Sequence, residues 1–262
     1  MRLSIGRAGT SASRPFAVRL KVLGLCFGAV LALVPPTVGA AEFTPEQRQA
    51  IEAIIKDYLT KNPDLMIDVL QAAEDKLKSQ SRDKAKEALA AHRNEVFNDP
   101  DSPIAGNPKG DVTLVEFFDY RCPYCKQVVS AIDTLIEQDR QLRFVYKEFP
   151  ILGPESTAAA RAALAAHRQG KYVAFHRALM AHKGKIDDAA LSSVAGSVGL
   201  DVKRLKSDME APEIDRMLTA NLALAEALEI RGTPGFVIGD EIVPGAISLG
   251  VMKRLIEAAR AK

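Results

Sequence analysis

The chain has 262 residues, of which 47% are hydrophobic and 26% charged, as in an ordinary globular protein. Its formal net charge of +2 arises at the N-terminus, because residues 1–40 hold five of the 35 Lys and Arg and none of the 33 Asp and Glu. The remainder has 30 basic and 33 acidic residues, a net charge of −3. The basic isoelectric point therefore gives no support to nucleic-acid binding, which would need a basic face on the folded domain.

The first 40 residues have the pattern of an export signal. A basic stretch precedes residues 22–34, an uncharged run that is too short to cross a bilayer comfortably as a helix. Val38 and Ala40 are small residues at the positions that a signal peptidase reads, so we predict cleavage near Ala40. An uncleaved N-terminal anchor is the alternative.

Residues 41–97 are predicted to form a helical arm and stalk. Thr44 and Pro45 begin one amphipathic helix, Asn62-Pro63 ends it, and a second follows. Residues 74–95 are highly charged and indicate an exposed stalk. The apolar stripes within residues 43–77 exceed what a two-helix arm can cover by itself, which predicts a homo-oligomer, a dimer or trimer, joined there. The alternative is an arm folded back onto its own domain.

Residues 98–262 are predicted to form an α/β domain. The apolar blocks 112–118 and 142–149 are typical of buried strands, and the amphipathic run between them completes a βαβ unit with parallel strands. Residues 155–229, rich in Ala and Leu, predict an inserted bundle of four or five helices. Gly239-Asp240 lies between two short β-prone segments and indicates a hairpin. Ser248 is a predicted N-cap of the last helix.

The chemistry is expected at Cys122-Pro123-Tyr124-Cys125, because Cys26 lies in the predicted signal and no other cysteine remains. The motif follows a strand and opens a helix, whose N-terminus favours a thiolate at Cys122. Cys125, one turn later and more buried, would resolve a mixed disulfide. A zinc site would need about four ligands, and c-type haem attachment needs His where Lys126 stands. The motif therefore predicts thiol-disulfide exchange.

Two further features fit this chemistry. Glu116 is the acid of an otherwise apolar strand, where a proton-handling role is natural and an outward-facing position at a sheet edge is the alternative. Thr233-Pro234 stands between two glycines before a strand, and a cis peptide bond there would expose backbone groups for a substrate. The four histidines have no shared spacing suited to a metal, so we expect no metal and no cofactor beyond the redox-active disulfide.

With these motifs, residues 111–262 resemble the DsbA family, and residues 43–95 resemble the oligomerisation segment of its ScsC-like and Com1-like members. The resemblance implies a thioredoxin fold with a helical insertion, preceded by the N-terminal helical arm. It also implies site residues: the nucleophile Cys122, the resolving Cys125, the buried acid Glu116, the cis-proline Pro234, and substrate contacts at Thr233, Pro123 and Tyr124.

The resemblance further implies a periplasmic enzyme that forms or isomerises disulfides in exported proteins and is reset by a membrane redox partner. Strongly oxidising members have His where this chain has Tyr124, which implies a less destabilised disulfide. Thr233 is also found in isomerase-type relatives, so oxidase and isomerase activities both stay open. The alternative is a chaperone-like or copper-binding module in which the cysteines are not catalytic.

Overall fold

A computed structural model describes residues 43–261. The predicted signal peptide, its cleavage near Ala40 and Cys26 lie outside these residues. None of the helices that the model describes is long and apolar enough to cross a membrane. The chain divides into two units between Lys61 and Asn62, and each unit is described by itself.

The described part of the first unit is helix α1, Pro45–Lys61. Its start is fixed reciprocally, because the Gln47 backbone N–H donates to Thr44 Oγ1 while the Thr44 N–H donates to Gln47 Oε1. The helix buries none of its residues within the unit. Its exposed apolar side chains are those of Ile51, Ile54, Ile55 and Tyr58.

The second unit begins with helix α2, Pro63–Ala91, and the short helix α3, Arg93–Phe97. The first half of α2 is exposed and carries the apolar side chains of Leu65, Met66, Ile67, Val69, Leu70 and Leu77. Farther along, Ala85 and Leu89 are buried. The expectation of a stalk exposed throughout residues 74–95 is therefore wrong for its last part, which packs on the domain.

The second unit contains a five-stranded mixed sheet of order β1-β3-β2-β4-β5. Strands β2 and β3 are parallel, as predicted, and the other neighbouring pairs are antiparallel. The hairpin β4–β5 turns at Gly239-Asp240. The strands are β1 Ile104–Gly106, β2 Val112–Phe118, β3 Leu142–Glu148, β4 Gly235–Ile238 and β5 Glu241–Pro244.

Helix α4, Pro123–Gln138, connects β2 to β3, and α10, Leu249–Arg260, closes the described chain with Ser248 as its N-cap. Five helices stand between β3 and β4, in agreement with the predicted insertion. They are α5 Pro154–His167, α6 Tyr172–Ala181, α7 Asp188–Ser197, α8 Val202–Met209 and α9 Pro212–Ala227. The architecture is thus the predicted α/β thioredoxin-like arrangement with a helical insertion.

Side chains of the central strand β2 alternate between two cores. Leu114 and Phe118 belong to the larger core, which also contains the apolar residues of α4, the insertion and α10. Val115 and Phe117 belong to a smaller core with Leu89 and other residues near the N-terminus of the unit. Burying an apolar side chain such as Leu or Phe contributes roughly 1.5–3 kcal/mol, so the second core holds the end of α2 in place.

Strand β1 was not expected. It has three residues, and Ile104 and Ala105 pair with Val145 and Phe144 of β3. The sequence around it is rich in Asp, Asn, Pro and Gly, which predicts turns. Pairing with a distant strand decides the conformation of such a short segment, and that pairing has no local signal.

Candidate active site

Cys122 is the N-cap residue of α4 and follows the end of β2 closely. Its backbone carbonyl accepts the first helical hydrogen bond, from the Lys126 N–H. Pro123 occupies the first helical position, where no N–H is needed. The thiol therefore stands at the positive end of the helix dipole, beside backbone N–H groups that have no helical partner.

Cys125 lies one turn later and is fully buried, whereas Cys122 keeps an exposed fraction of 4%. Both are free thiols in the structure. Burial raises the pKa of the Cys125 thiol, and the nearby carboxylate of Glu116 raises it further. Cys122 is thus the sulfur that a substrate can reach, and Cys125 is a thiol that needs a base before it reacts.

Glu116 points into the larger core and has an exposed fraction of 2%, so it is not an acid at an exposed sheet edge. Burial raises its pKa to about 8, and a negative charge on Cys122 adds to this rise. Its Oε1 atom has no hydrogen-bond partner among the residues that the structure describes. A carboxyl group with a pKa close to neutral pH is well suited to accept and return a proton.

Thr233-Pro234 brings a third part of the chain to the site. The peptide bond between the two residues is cis, as the resemblance implied. The Cys122 thiol donates to the Thr233 carbonyl over 3.2 Å, and the Pro234 carbonyl accepts from the Gly245 N–H at the end of the hairpin. A Cβ on Gly235 would lie 2.7 Å from Ile230, so this close approach of the chain needs glycine.

Pro123 and Tyr124 form the exposed part of the motif. The Tyr124 side chain is 58% exposed and stands on the first turn of α4, beside Cys122. The structure thus brings Thr233 to the Cys122 sulfur, places Glu116 where it influences both thiols, and puts Pro123 and Tyr124 on the first turn of the same helix.

Asp119 is a residue of the site that the sequence analysis missed. It is buried between β2 and the motif, and its backbone carbonyl accepts from the Cys122 N–H. Its carboxylate accepts from the N–H groups of Ile151 and Leu152 over 2.9 and 3.0 Å and from Ser156 Oγ over 2.8 Å. Asp119 thus joins the loop after β3 to the start of the active-site turn. An Asp directly after a buried strand was the available signal.

A second buried acid, Glu148, was also missed. Glu148 Oε1 accepts from the Tyr172 hydroxyl over 2.6 Å and from the Tyr120 hydroxyl over 3.2 Å. The Tyr120 hydroxyl also lies 3.1 Å from His176 Nδ1. Burial raises the pKa of Glu148 and lowers that of His176 to about 3, so this histidine is neutral. The signal in the sequence was an acid at the end of the apolar β3 strand.

Within residues 43–261, no three or more His, Cys, Asp or Glu side chains are grouped so that they could hold a metal ion. His176 is buried among Phe118, Tyr146 and Tyr172, which is a packing role. His182 Nε2–H donates to the Lys185 carbonyl over 3.2 Å. The active-site region is therefore built from thiols, a carboxyl group and backbone carbonyls.

Family models match two parts of the chain. Residues 113–257 match the DSBA-like thioredoxin domain, and residues 47–80 match the copper resistance protein ScsC N-terminal domain. A curated relative, the Na(+)/H(+) antiporter NhaA 1 of Mycobacterium sp. (strain KMS), is 30% identical over 162 residues, which are 60% of this chain and 26% of the antiporter. The chain thus spans about a quarter of the length of the curated relatives that it matches.

Three solved structures are similar to this chain. A thioredoxin-like oxidoreductase from Silicibacter pomeroyi DSS-3 is 48% identical with a TM-score of 0.64, and the match covers 65% of this chain and 98% of that one. The thiol-disulfide exchange protein alpha-DsbA2 from Wolbachia pipientis is 29% identical with a TM-score of 0.64, covering 68% and 96%. A periplasmic thioredoxin-like protein from Salmonella enterica serovar Typhimurium is 30% identical with a TM-score of 0.56, covering 65% and 96%.

The family match covers more than half of the chain and includes both cysteines, Glu116 and Thr233-Pro234. The match to residues 47–80 adds the N-terminal segment of the ScsC branch. The chain therefore belongs to the DSBA-like thioredoxin family, and residues 113–257 form a disulfide oxidoreductase domain.

Proposed function

We propose that the protein catalyses thiol-disulfide exchange in exported proteins of the periplasm, with Cys122 as the nucleophile and Cys125 as the resolving thiol. The observation that carries the proposal is the position of Cys122. Its sulfur stands at the N-terminus of α4 and 3.2 Å from the Thr233 carbonyl, where a thiolate is stabilised and a substrate backbone can approach.

Oxidation of a substrate starts from the Cys122–Cys125 disulfide. A substrate thiolate attacks Cys122 Sγ, a mixed disulfide forms, and the Cys125 thiolate that leaves takes up a proton. A second substrate thiolate then attacks the substrate sulfur of the mixed disulfide and releases the Cys122 thiolate. The substrate loses two electrons, which the Cys122–Cys125 pair gains. No further cofactor is needed, but an oxidising membrane protein must restore the disulfide.

Isomerisation starts from the dithiol form of the same centre. The Cys122 thiolate attacks a wrong substrate disulfide, forms a mixed disulfide and releases one substrate thiolate. That thiolate attacks another substrate disulfide, and the thiolate released there attacks the substrate sulfur of the mixed disulfide and expels the Cys122 thiolate, so no net electrons are transferred. If the substrate in the mixed disulfide does not rearrange, the Cys125 thiolate attacks Cys122 Sγ. This step releases the substrate as a thiolate and forms the Cys122–Cys125 disulfide. Both activities use the same two sulfurs, and the exposed Tyr124 in the motif is compatible with either.

Glu116 serves these steps as a proton carrier. The buried Cys125 has a raised pKa, so its thiol must lose a proton to a base before it attacks the mixed disulfide. Glu116 influences Cys125 electrostatically and has a pKa of about 8, so proton transfer between the two groups is reversible near neutral pH.

Thr233 and Pro234 provide the substrate contact. The turn at the cis peptide bond places backbone atoms beside Cys122, and an extended substrate segment would pair with this backbone in the manner of an added strand. Such backbone pairing does not depend on particular substrate side chains, which suits an enzyme with many substrates. Pro123 and Tyr124 would border the substrate on the other side of the sulfur.

The proposed location has two supports. Residues 1–40 have the composition of an export signal, and one structural relative is described as a periplasmic thioredoxin-like protein. Disulfides persist in that oxidising compartment. Fractionation of cells that express the full chain tests the location, and recovery of the protein in the cytoplasm with residues 1–40 still attached would contradict it.

We further propose a homo-oligomer joined through residues 43–77. These residues carry eleven large apolar side chains that are exposed within their own units, and residues 47–80 match the ScsC N-terminal domain. Exposed apolar area of this extent is typical of an association surface. Light scattering on the chain without residues 1–40 should give a dimer or trimer, and a chain that starts at Asn98 should be monomeric. A monomeric longer chain would contradict the proposal.

The main experiment compares variants in the oxidation of a reduced test protein and the reshuffling of a scrambled one. Cys122→Ala should lose both activities, and Cys125→Ala should accumulate a mixed disulfide because the resolving thiol is missing. Gln127→Ala is the matched control, since Gln127 is exposed on the same helix, and it should keep both activities. Full activity in Cys122→Ala would overturn the proposed function.

The same experiment distinguishes the proposed function from a chaperone-like or copper-binding role. The description of the family matched by residues 47–80 mentions copper resistance, and the two cysteine sulfurs are soft ligands of the kind that bind Cu(I). Such a role predicts metal binding without turnover. Cys122→Ala would then lose copper binding, while the wild-type protein would show no catalysed exchange.

A further inference from the structure

A cavity of about 420 Å³ lies between the second half of α2 and the turn that contains Thr233-Pro234. One wall is formed by Ser81, Arg82 and Lys86 of α2, and the opposite wall by residues of the turn and of the edge strand β5. Thr233 lines the cavity and also accepts the hydrogen bond from the Cys122 thiol. The cavity is therefore continuous with the place where a substrate backbone would meet the nucleophile.

The wall formed by α2 is held firmly against the domain. Ala85 and Leu89 are buried at this end of the helix, and Ser81 Oγ donates to Glu229 Oε2 over 3.4 Å. Glu229 has a positive φ of 56°, a conformation that non-glycine residues rarely adopt, and it also forms an ion pair with Arg231. The helix and the segment that leads into the cis-proline turn thus share a direct contact.

The charges around the cavity are unequally paired. Glu229 is paired with Arg231, and Asp240 with Arg93. Glu241 is the remaining acid of the lining. Two further charged residues line the cavity, Arg82 and Lys86. Both are exposed, and neither forms an ion pair within residues 43–261.

The floor of the cavity is apolar. Ile230 and Ile242 contribute to it, and both belong to the smaller core or pack against it, while Pro244 closes the end of β5. A site with an apolar floor and two cationic groups at one wall suits an apolar side chain that is followed or preceded by a carboxylate. An extended chain advances about 3.3 Å per residue, so neighbouring substrate residues can reach both parts.

We infer that this cavity is a substrate subsite that selects acidic polypeptide segments next to the reactive cysteine, with Arg82 and Lys86 of α2 as its specificity-determining residues. The inference rests on the proposed function, since its occupant is the polypeptide bound at Thr233. It assigns a second role to α2, which lies outside the residues 113–257 of the matched thioredoxin domain. The helix would then contribute to substrate choice as well as to assembly.

The test uses two short peptides that differ only in the residues beside a central serine, which replaces the reactive cysteine. One peptide has Asp and Leu at these positions, and the other has Lys and Leu. Fluorescence anisotropy on the chain without residues 1–40 measures both affinities. Charge contacts at a partly exposed wall are individually weak, so the Asp peptide should bind about fivefold to tenfold more tightly. Added salt should reduce the difference.

The decisive variant is Arg82→Glu/Lys86→Glu, which should reverse the preference. Lys84→Glu/Lys203→Glu is the matched control: it makes the same charge change at exposed positions that do not line the cavity, one of them on α2, and it should keep the preference. Equal binding of the two peptides to the wild-type protein would overturn the inference. The same follows if the control variant reverses the preference as fully as the cavity variant does.

A second readout separates the subsite from the proposed function. A peptide with cysteine at the central position attacks Cys122 of the oxidised protein and displaces the Cys125 thiolate, so it reports the rate of mixed-disulfide formation. The Asp peptide should react faster by the same factor. Absence of exchange with both peptides, together with a retained binding preference, would support the subsite and overturn the proposed function. Rapid exchange without any preference would support the function and overturn the subsite.

Discussion

Two buried glutamates occupy the same face of the sheet on neighbouring parallel strands, Glu116 on β2 and Glu148 on β3. Burial raises the pKa of both carboxyl groups. Their surroundings differ, because Glu148 Oε1 accepts hydrogen bonds from Tyr172 and Tyr120, whereas Glu116 Oε1 has no partner in the described structure. The shared burial therefore has different consequences at the two positions.

Hydrogen bonding distinguishes the two acids: Glu148 has a structural role, and Glu116 has a role in the reaction. Glu148 joins α6 to the strand and to the turn before the motif through two tyrosine hydroxyls. Its removal would leave the Tyr172 hydroxyl without an acceptor, and the Tyr120 hydroxyl would keep only its contact with His176 Nδ1. Glu116 has no such bonds to lose, and it is electrostatically coupled to Cys122 and Cys125. We therefore expect changes at Glu148 to affect folding and changes at Glu116 to affect the reaction.

The largest expected effect on stability is at Glu148. Glu148→Ala should lower the free energy of unfolding by about 3–5 kcal/mol, because it creates a cavity, leaves the Tyr172 hydroxyl without an acceptor and removes one of the two partners of the Tyr120 hydroxyl. Glu116→Ala should cost about 1–2 kcal/mol, since no hydrogen bond is lost and the cost of burying an acid is relieved. Urea unfolding of the reduced proteins measures both. Equal losses would show that the hydrogen bonds do not distinguish the two acids.

The next largest effect is on the reaction at Glu116. Glu116→Gln keeps the shape of the side chain but cannot accept the proton of Cys125, so release of a mixed disulfide should slow by about 100-fold. The attack by Cys122 should change far less. Stopped-flow measurement with a peptide disulfide separates the two phases. Glu148→Gln is the control and should leave both rates within about threefold of wild type, and slow release in both variants would remove the assignment to Glu116.

Much of the thioredoxin domain was predictable because its signals are local. The apolar blocks of β2 and β3, the turn at Gly239-Asp240 and the cap at Ser248 each depend on residues close together in sequence. The CxxC motif is equally local, since its chemistry follows from a helix that starts at Cys122. These features required no knowledge of tertiary contacts.

The parts that escaped prediction depend on distant contacts. Glu148 meets Tyr172 and Tyr120 at separations of 24 and 28 residues, and no spacing in the sequence marks such a group. The burial of Leu89 in a charged helix likewise depends on the smaller core that forms around it. The cis bond at Pro234 was expected from the family resemblance, because the local sequence only slightly favours it.

A smaller effect should appear in the pH dependence of stability. The pKa of Glu116 is about 8 in the folded protein and 4.5 without burial, so between these values the folded state keeps a proton that the unfolded state has lost. Stability must then fall as pH rises through this window. The reduced wild-type protein should lose about 2 kcal/mol more than Glu116→Gln between pH 6 and pH 8.

Glu148 gives a pH dependence of the same sign, because burial raises its pKa as well. It is present in both proteins, so its contribution cancels when the unfolding free energies of wild type and Glu116→Gln are subtracted. Denaturant unfolding at several pH values provides the measurement. A difference that stays constant over the window would mean that Glu116 keeps its ordinary pKa, and its role as proton carrier near neutral pH would be lost.

The smallest expected effect isolates one hydrogen bond of the Glu148 group. Tyr172→Phe removes the hydroxyl that donates to Glu148 Oε1 over 2.6 Å and should cost about 1–2 kcal/mol, because the bond is buried and its acceptor is a carboxyl group. Tyr146→Phe is the matched control, since the Tyr146 side chain is buried nearby but makes no hydrogen bond within the described chain, and it should cost less than about 0.5 kcal/mol. In Glu148→Ala the effect of Tyr172→Phe should shrink, because the acceptor of the Tyr172 hydroxyl is absent. A double-mutant cycle by urea unfolding measures this coupling, and additive losses would show that Tyr172 stabilises the fold through packing and not through Glu148.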